Sequence, residues 1–204
     1  MSKPSEQYEV LDSLKINPKC YFILDETEFL TWDYSASITV DADDSLTGEP
    51  WLFRYGTKAA KTTCSVQYMA NYPLINFLSS DKNWLTLTLS RLRNIIKPVI
   101  TRTSDTQSLC EVYYEDGRRG PYNPMTADFV SSKGNFGIFG STETNSTFKG
   151  NFYNFTLTIE GETVYDLVPA KRISDGEFGL LNKVDGKFYE NQGTGTLERG
   201  EENA

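Results

Sequence analysis

The residues best equipped for recognition chemistry stand together at Arg118-Arg119-Gly120-Pro121-Tyr122-Asn123. A sugar ring docks its C–H face on an aromatic ring while planar polar groups bond its hydroxyls. A stretch combining Tyr, Asn and Arg therefore holds the parts of a glycan site. Pro121 and Pro124 stiffen it, and it reads as a loop after the Asp116-Gly117 turn. Arg118, Arg119, Tyr122 and Asn123 are the candidate contacts, with Tyr72, between Asn71 and Pro73, a lesser one. Tyr and Arg are enriched in protein–protein contacts too, so the same groups suit a partner subunit. An ordinary exposed turn is the plain alternative.

Other chemistry is thinly provided. Asp41, Asp43 and Asp44 gather hard oxygen ligands and form the calcium candidate of the chain. Gly48 comes too late for a helix–loop–helix calcium loop, and Leu52 stands where its bidentate Glu belongs, so a solvated acidic loop is the competing reading. Glu26/Glu28 and Glu160/Glu162 have the parity to share a strand face, yet each flanks an expected turn. Histidine is absent, which removes Ser-His and Cys-His nucleophile pairs and ordinary zinc sites. Cys20, Cys64 and Cys110 lie far apart without metal-ligand spacing and read as reduced strand cysteines. The expectation is a protein without catalytic activity, cofactor or bound metal.

The elements that must position these residues are strands. With 12 Tyr and 12 Phe among 204 residues, composition favours sheet over helix. Ala36, Ile38 and Val40 alternate with Ser37 and Thr39, and Leu85, Leu87 and Leu89 with Thr86 and Thr88, the period of half-buried strands. Trp51–Tyr55, Thr62–Met69, Leu74–Leu78, Ile95–Thr101 and Leu109–Tyr114 read likewise. From Lys149 to Leu197 runs the organising stretch. Phe152, Asn154, Thr156 and Thr158 face one way and Tyr153, Phe155, Leu157 and Ile159 the other. Gly161 turns the chain into a return strand that Pro169, lacking a ladder donor, ends. Strands with turns every ten residues or so predict an all-β, two-sheet antiparallel sandwich. The expected layout is a flexible arm over residues 1–7, one domain over 8–200 and an acidic tail over 201–204.

This last stretch resembles a known family. Gly150, Phe152–Ile159, Tyr165–Pro169, Lys171, Arg172, Ser174–Gly176, Gly179, Leu180, Lys187–Tyr189, Asn191 and Gly193–Thr196 are similar, in order and spacing, to the C-terminal end of the concanavalin A-like (laminin-G-like) jelly-roll domains of tailed bacteriophages and prophages. The resemblance implies a jelly roll serving as a virion structural protein of tail, fibre or head appendage, or else as an adhesin attaching to host-cell glycans. Partners would be other virion proteins, a host glycan or further copies of the chain, in a particle assembled in the bacterial cytoplasm. Glycoside hydrolases of the superfamily carry Glu-x-Asp-x-x-Glu, a string that does not occur here. A net charge of −8 opposes binding to nucleic acid or anionic lipid, and no apolar run approaches the ~18 residues of a membrane span.

Overall fold

A computed structural model of the chain describes residues 7–29, 32–55, 62–72, 74–80, 83–89, 95–126, 128–129, 131–140 and 146–200. The expected arm, apart from Gln7, and the acidic tail lie outside the described residues. In chain order the strands are β1 (Tyr8–Val10), β2 (Leu14–Ile16), β3 (Phe22–Phe29), β4 (Tyr34–Ala42), β5 (Trp51–Tyr55) and β6 (Thr62–Met69). There follow β7 (Leu74–Ser80), β8 (Asn83–Thr88), β9 (Ile96–Arg102), β10 (Gln107–Tyr114), β11 (Arg119–Thr126) and β12 (Ser132–Ile138). The C-terminal part supplies β13 (Gly150–Ile159), β14 (Glu162–Arg172), β15 (Phe178–Asn182), β16 (Phe188–Glu190) and β17 (Leu197–Arg199). The larger sheet runs β11-β10-β9-β4-β13-β14-β15-β16, with β1 beside β14, β2 beside β13 and β17 beside β2. The smaller runs β3-β12-β5-β6-β7-β8.

The alternation read from the sequence explains how the layers meet. Ala36, Ile38 and Val40 of β4 are buried, while the opposite face bonds sideways: Ser35 to Thr101 at 2.9 Å, Ser37 to Thr156 at 2.7 Å, and Thr39 to Asn154 at 2.9 Å. Between the sheets, Phe155 of β13 meets Phe53 at 5.4 Å and Phe136 at 5.6 Å between ring centroids. All three are fully buried, and such burial stabilises by about 1.5–3 kcal/mol per side chain. At the β13–β14 turn Glu160 and Gly161 take φ of 51° and 78°, the two positive angles of a tight hairpin.

Two expectations are corrected. Simple alternation puts Phe152 with Asn154 and Thr156 on the polar face, yet it is fully buried. Phe152 pairs with Val40 but Asn154 with Thr39, so Tyr153 is an extra residue, a bulge that reverses the parity of what precedes it. Phe152 thereby joins Phe139, 5.8 Å away, in a second aromatic group. Pro169 does not end the pairing, because β14 runs on to Arg172 with Pro169 opposite Leu180. Its missing donor falls where β14 passes from β13 to β1, and its carbonyl accepts from Leu11 N at 3.0 Å.

Candidate functional site

The segment expected to be a loop at Arg118–Asn123 is mostly strand. The Asp116-Gly117 turn forms, Asp116 Oδ1 accepting from Arg118 N at 2.9 Å, and β11 then pairs with β10 along the edge of the larger sheet. Prolines 121 and 124 are tolerated because an edge strand leaves one side of its backbone unpaired. Tyr122 stands opposite Glu111, and Arg119 opposite Tyr113, with a register shift between them. That bulge sets Arg119 and Tyr122, three residues apart, on one face.

The result is a preassembled polar and aromatic cluster. The Arg119 guanidinium lies 3.5 Å from the centroid of the Tyr122 ring, and its Nη2 is 2.7 Å from Glu111 Oε1. The Tyr113 hydroxyl donates to the same oxygen at 3.3 Å. Glu111 is only 12% exposed at its side chain, whereas Tyr122 is 56% exposed. A buried carboxylate and an aromatic face thus fix the guanidinium, whose rigid fork of donors is suited to planar or hydroxylated ligands. Beside it a cleft of about 400 Å³ is lined by Thr39, Lys97, Val99, Tyr113 and the Glu115–Gly117 turn.

The structure divides the residues expected from sequence. Arg119 and Tyr122 come together. Arg118 leans over the Tyr114 ring at 5.5 Å and, together with Arg119, lines a second cleft of about 420 Å³ beside Thr88, Leu89 and Pro121. Asn123 pairs with Cys110, one residue beyond Tyr122, and so belongs to the opposite face of β11. Tyr72 is 60% exposed in the β6–β7 turn and makes no side-chain bond or ring contact with this cluster among the described residues. Glu111, Tyr113 and Lys97 are additions. Glu111 lies on the face of β10 opposite that of Cys110 and Val112, and only the pairing with β11 brings Arg119 to it.

The acidic stretch is not gathered around one point. Asp41 is the penultimate residue of β4, where burial pushes its carboxyl up. Asp43 accepts from Ser45 N at 2.8 Å and Ser45 Oγ at 2.6 Å, with Lys149 Nζ at 3.4 Å, and these partners hold its carboxyl below the usual range. Asp41, Asp43 and Asp44 line a cleft of about 520 Å³ that also holds Lys15 and Arg199. Among the described residues no three Asp, Glu, His or Cys side chains are grouped to hold a metal ion. Glu26 and Glu28 lie within β3 rather than beside a turn, Glu26 paired with Lys133 at 2.8 Å, and Glu160 and Glu162 are exposed at the hairpin end. The three cysteines are free and buried, and burial pushes all three thiols up.

No family model and no curated protein matches the chain. Solved structures align with it. The LG1-3 region of the laminin α2 chain aligns at a TM-score of 0.55 and 9% identity, covering 83% of this chain and 31% of that one. Scytalido-glutamic peptidase, solved with a transition state analog inhibitor, aligns at 0.43 and 11% identity over 74% of this chain and 84% of that one. The enzymatically active domain of tailspike protein 2 from bacteriophage CBA120 aligns at 0.45 and 8% identity over 66% of this chain and 24% of that one. The chain thus spans about a third of the laminin fragment and a quarter of the tailspike domain. The fold is a concanavalin A-like, laminin-G-type jelly roll. The expectation that such a chain is no enzyme is corrected: a peptidase and an enzymatically active phage domain are among the solved structures that align with it. Neither carries its activity over to this chain.

Proposed function

We propose that this protein is a binding module of a bacteriophage particle that recognises a saccharide through the β11 edge. The observation that carries the reading is Arg119, held between the exposed Tyr122 ring and the buried Glu111 carboxylate. The ring offers a stacking face, and the guanidinium keeps donors free for hydroxyls once Glu111 has been satisfied. Strand addition by another subunit is a poorer use of this edge, because Pro121 and Pro124 lack donors and Arg118 and Arg119 add charge. The resemblance of Gly150–Thr196 to tailed-phage jelly rolls supports placing the module in a virion, beside other virion proteins or further copies of itself. Attachment to a host-surface glycan is the task that fits both.

A glycan array probed with the purified chain tests this. Saccharide binding is expected, lost in Arg119→Ala and in Tyr122→Ala and kept in Glu162→Gln, which alters an exposed residue at the start of β14. An array without any retained saccharide, together with a particle reconstruction that buries β11 against another subunit, overturns the glycan reading in favour of assembly.

A further inference from the structure

The outer face of the smaller sheet holds a second constellation. In β5, Trp51 pairs with Gln67 and Phe53 with Val66, a register shift that buries Leu52 and Phe53 together. The bulge turns both Trp51 and Arg54 outward. Trp84 reaches the same face from β8, opposite Leu78, and its ring lies 5.9 Å from that of Trp51 at an interplanar angle of 33°. Trp84 is 48% exposed. The Arg54 guanidinium sits 5.3 Å from the Trp51 ring centroid. Its Nε and the Oγ of Ser65, its cross-strand neighbour, are both buried without a hydrogen-bond partner. On its other side, on β12, Arg54 faces Gly137, which adds no side chain. Among the described residues no carboxylate is paired with Arg54.

We infer that this face binds a saccharide bearing a carboxylate, a hexuronic acid residue, with the ring on Trp51 and Trp84 and the acid on Arg54. Each feature selects against a simpler ligand. The two indoles, tilted by 33° to each other, offer apolar ring surface that a small free carboxylate leaves uncovered. A guanidinium with no carboxylate paired to it among the described residues favours an acidic ligand over a neutral sugar. Asn76 and Thr86, bonded to each other at 2.8 Å, flank the shelf in the row of Trp51 and Gln67 with polar groups for the ring hydroxyls. The inference stands independently of the β11 edge, which belongs to the other sheet.

Two of the chain's three tryptophans lie in this site, so intrinsic fluorescence reports on it. The full chain is titrated with the tetrasaccharide of galacturonic acid and, in parallel, with the neutral tetrasaccharide of galactose. The acidic ligand is expected to change the fluorescence and to bind at least about tenfold more tightly than the neutral one. Trp84→Ala and Arg54→Gln should each weaken it by about tenfold or more, with melting temperatures showing that both variants are folded. Trp32→Phe removes the tryptophan outside the site and should leave the affinity unchanged. Equal affinity for the two sugars, binding that survives Trp84→Ala, or no fluorescence change at millimolar galacturonate overturns the inference. So does binding that is lost in Arg119→Ala, which would belong to the β11 edge.

Discussion

The two seams where the sheets approach each other use the same kinds of residues to opposite ends. At the seam of β3 with β14 and β16, the Tyr165 hydroxyl bonds Thr27 Oγ1 at 3.3 Å and donates to the Asp25 carbonyl at 3.2 Å. The Tyr189 hydroxyl donates to Asp25 Oδ2 at 3.0 Å, and Lys187 pairs with the same carboxylate. Both tyrosines are buried. At the seam of β8 with β11, Arg119 and the exposed Tyr122 ring turn outward over the buried Glu111 carboxylate of β10, and a cleft opens between Leu89 and Pro121. Tyrosines, a cation and an acid thus close one seam and equip the other. Residue type does not tell a clasp from a candidate site. Direction does, and direction is set by pairing.

The closed seam is finished by the C-terminal run. Asn191 Oδ1 accepts from Tyr21 N at 3.1 Å and from Gly193 N at 2.9 Å, while its Nδ2 donates to Gly195 O at 2.9 Å. A Cβ at Gly193 would lie 1.7 Å from the Lys19 carbonyl oxygen, a backbone atom that cannot step aside. The segment that resembles phage jelly rolls is therefore a fastening.

If the comparison holds, the largest effect is at that fastening. Gly193→Ala should destabilise the fold by about 1–3 kcal/mol or more, lowering the thermal midpoint by about 2–4 °C for each kcal/mol. An unchanged melting curve would break the distinction between the seams. The same variant should expose Cys20, whose Sγ lies 3.3 Å from the Thr196 carbonyl oxygen, to a thiol reagent before Cys64 and Cys110. Mass spectrometry of timed labelling reads the order, and simultaneous modification of all three contradicts it.

A smaller difference should separate two chemically identical changes. Tyr189→Phe removes a buried hydroxyl from the Asp25 carboxylate and should cost about 0.5–1.5 kcal/mol. Tyr122→Phe, at the open seam, should stay within about 0.5 kcal/mol. Denaturant titration of the pair makes the comparison directly, and equal losses would erase it.

The smallest effect is electrostatic. Lys187, followed by Tyr189, holds the Asp25 carboxyl below its ordinary 3.8. A depressed carboxylate favours the folded state fully at higher pH and loses that contribution as pH falls through the lowered value. Stability should therefore decline below about pH 4, by no more than about 0.2–1 kcal/mol from this half-exposed pair. Lys187→Met should flatten that part of the profile, and a wild-type slope in the variant would remove Lys187 as its cause.

Much of the architecture could be read locally. Ala36-Ile38-Val40 and Leu85-Leu87-Leu89 announce half-buried strands, and Glu160-Gly161 announces a hairpin, because strand parity and turn angles depend only on neighbouring residues. Arg119 and Tyr122 are candidates by type alone, and whether they share a surface is not written in their types. Hidden from such a reading were the positions where parity breaks. A bulge exists only relative to a partner strand, and the partner of β11, of β5 or of β13 is chosen by the whole sheet. Three such bulges place Arg119 with Tyr122, Trp51 with Arg54, and Phe152 in the core. Local alternation determined that this chain forms layered strands and which side chains are apolar enough to lie between them. Only the tertiary pairing decided which polar and aromatic residues three positions apart share a surface.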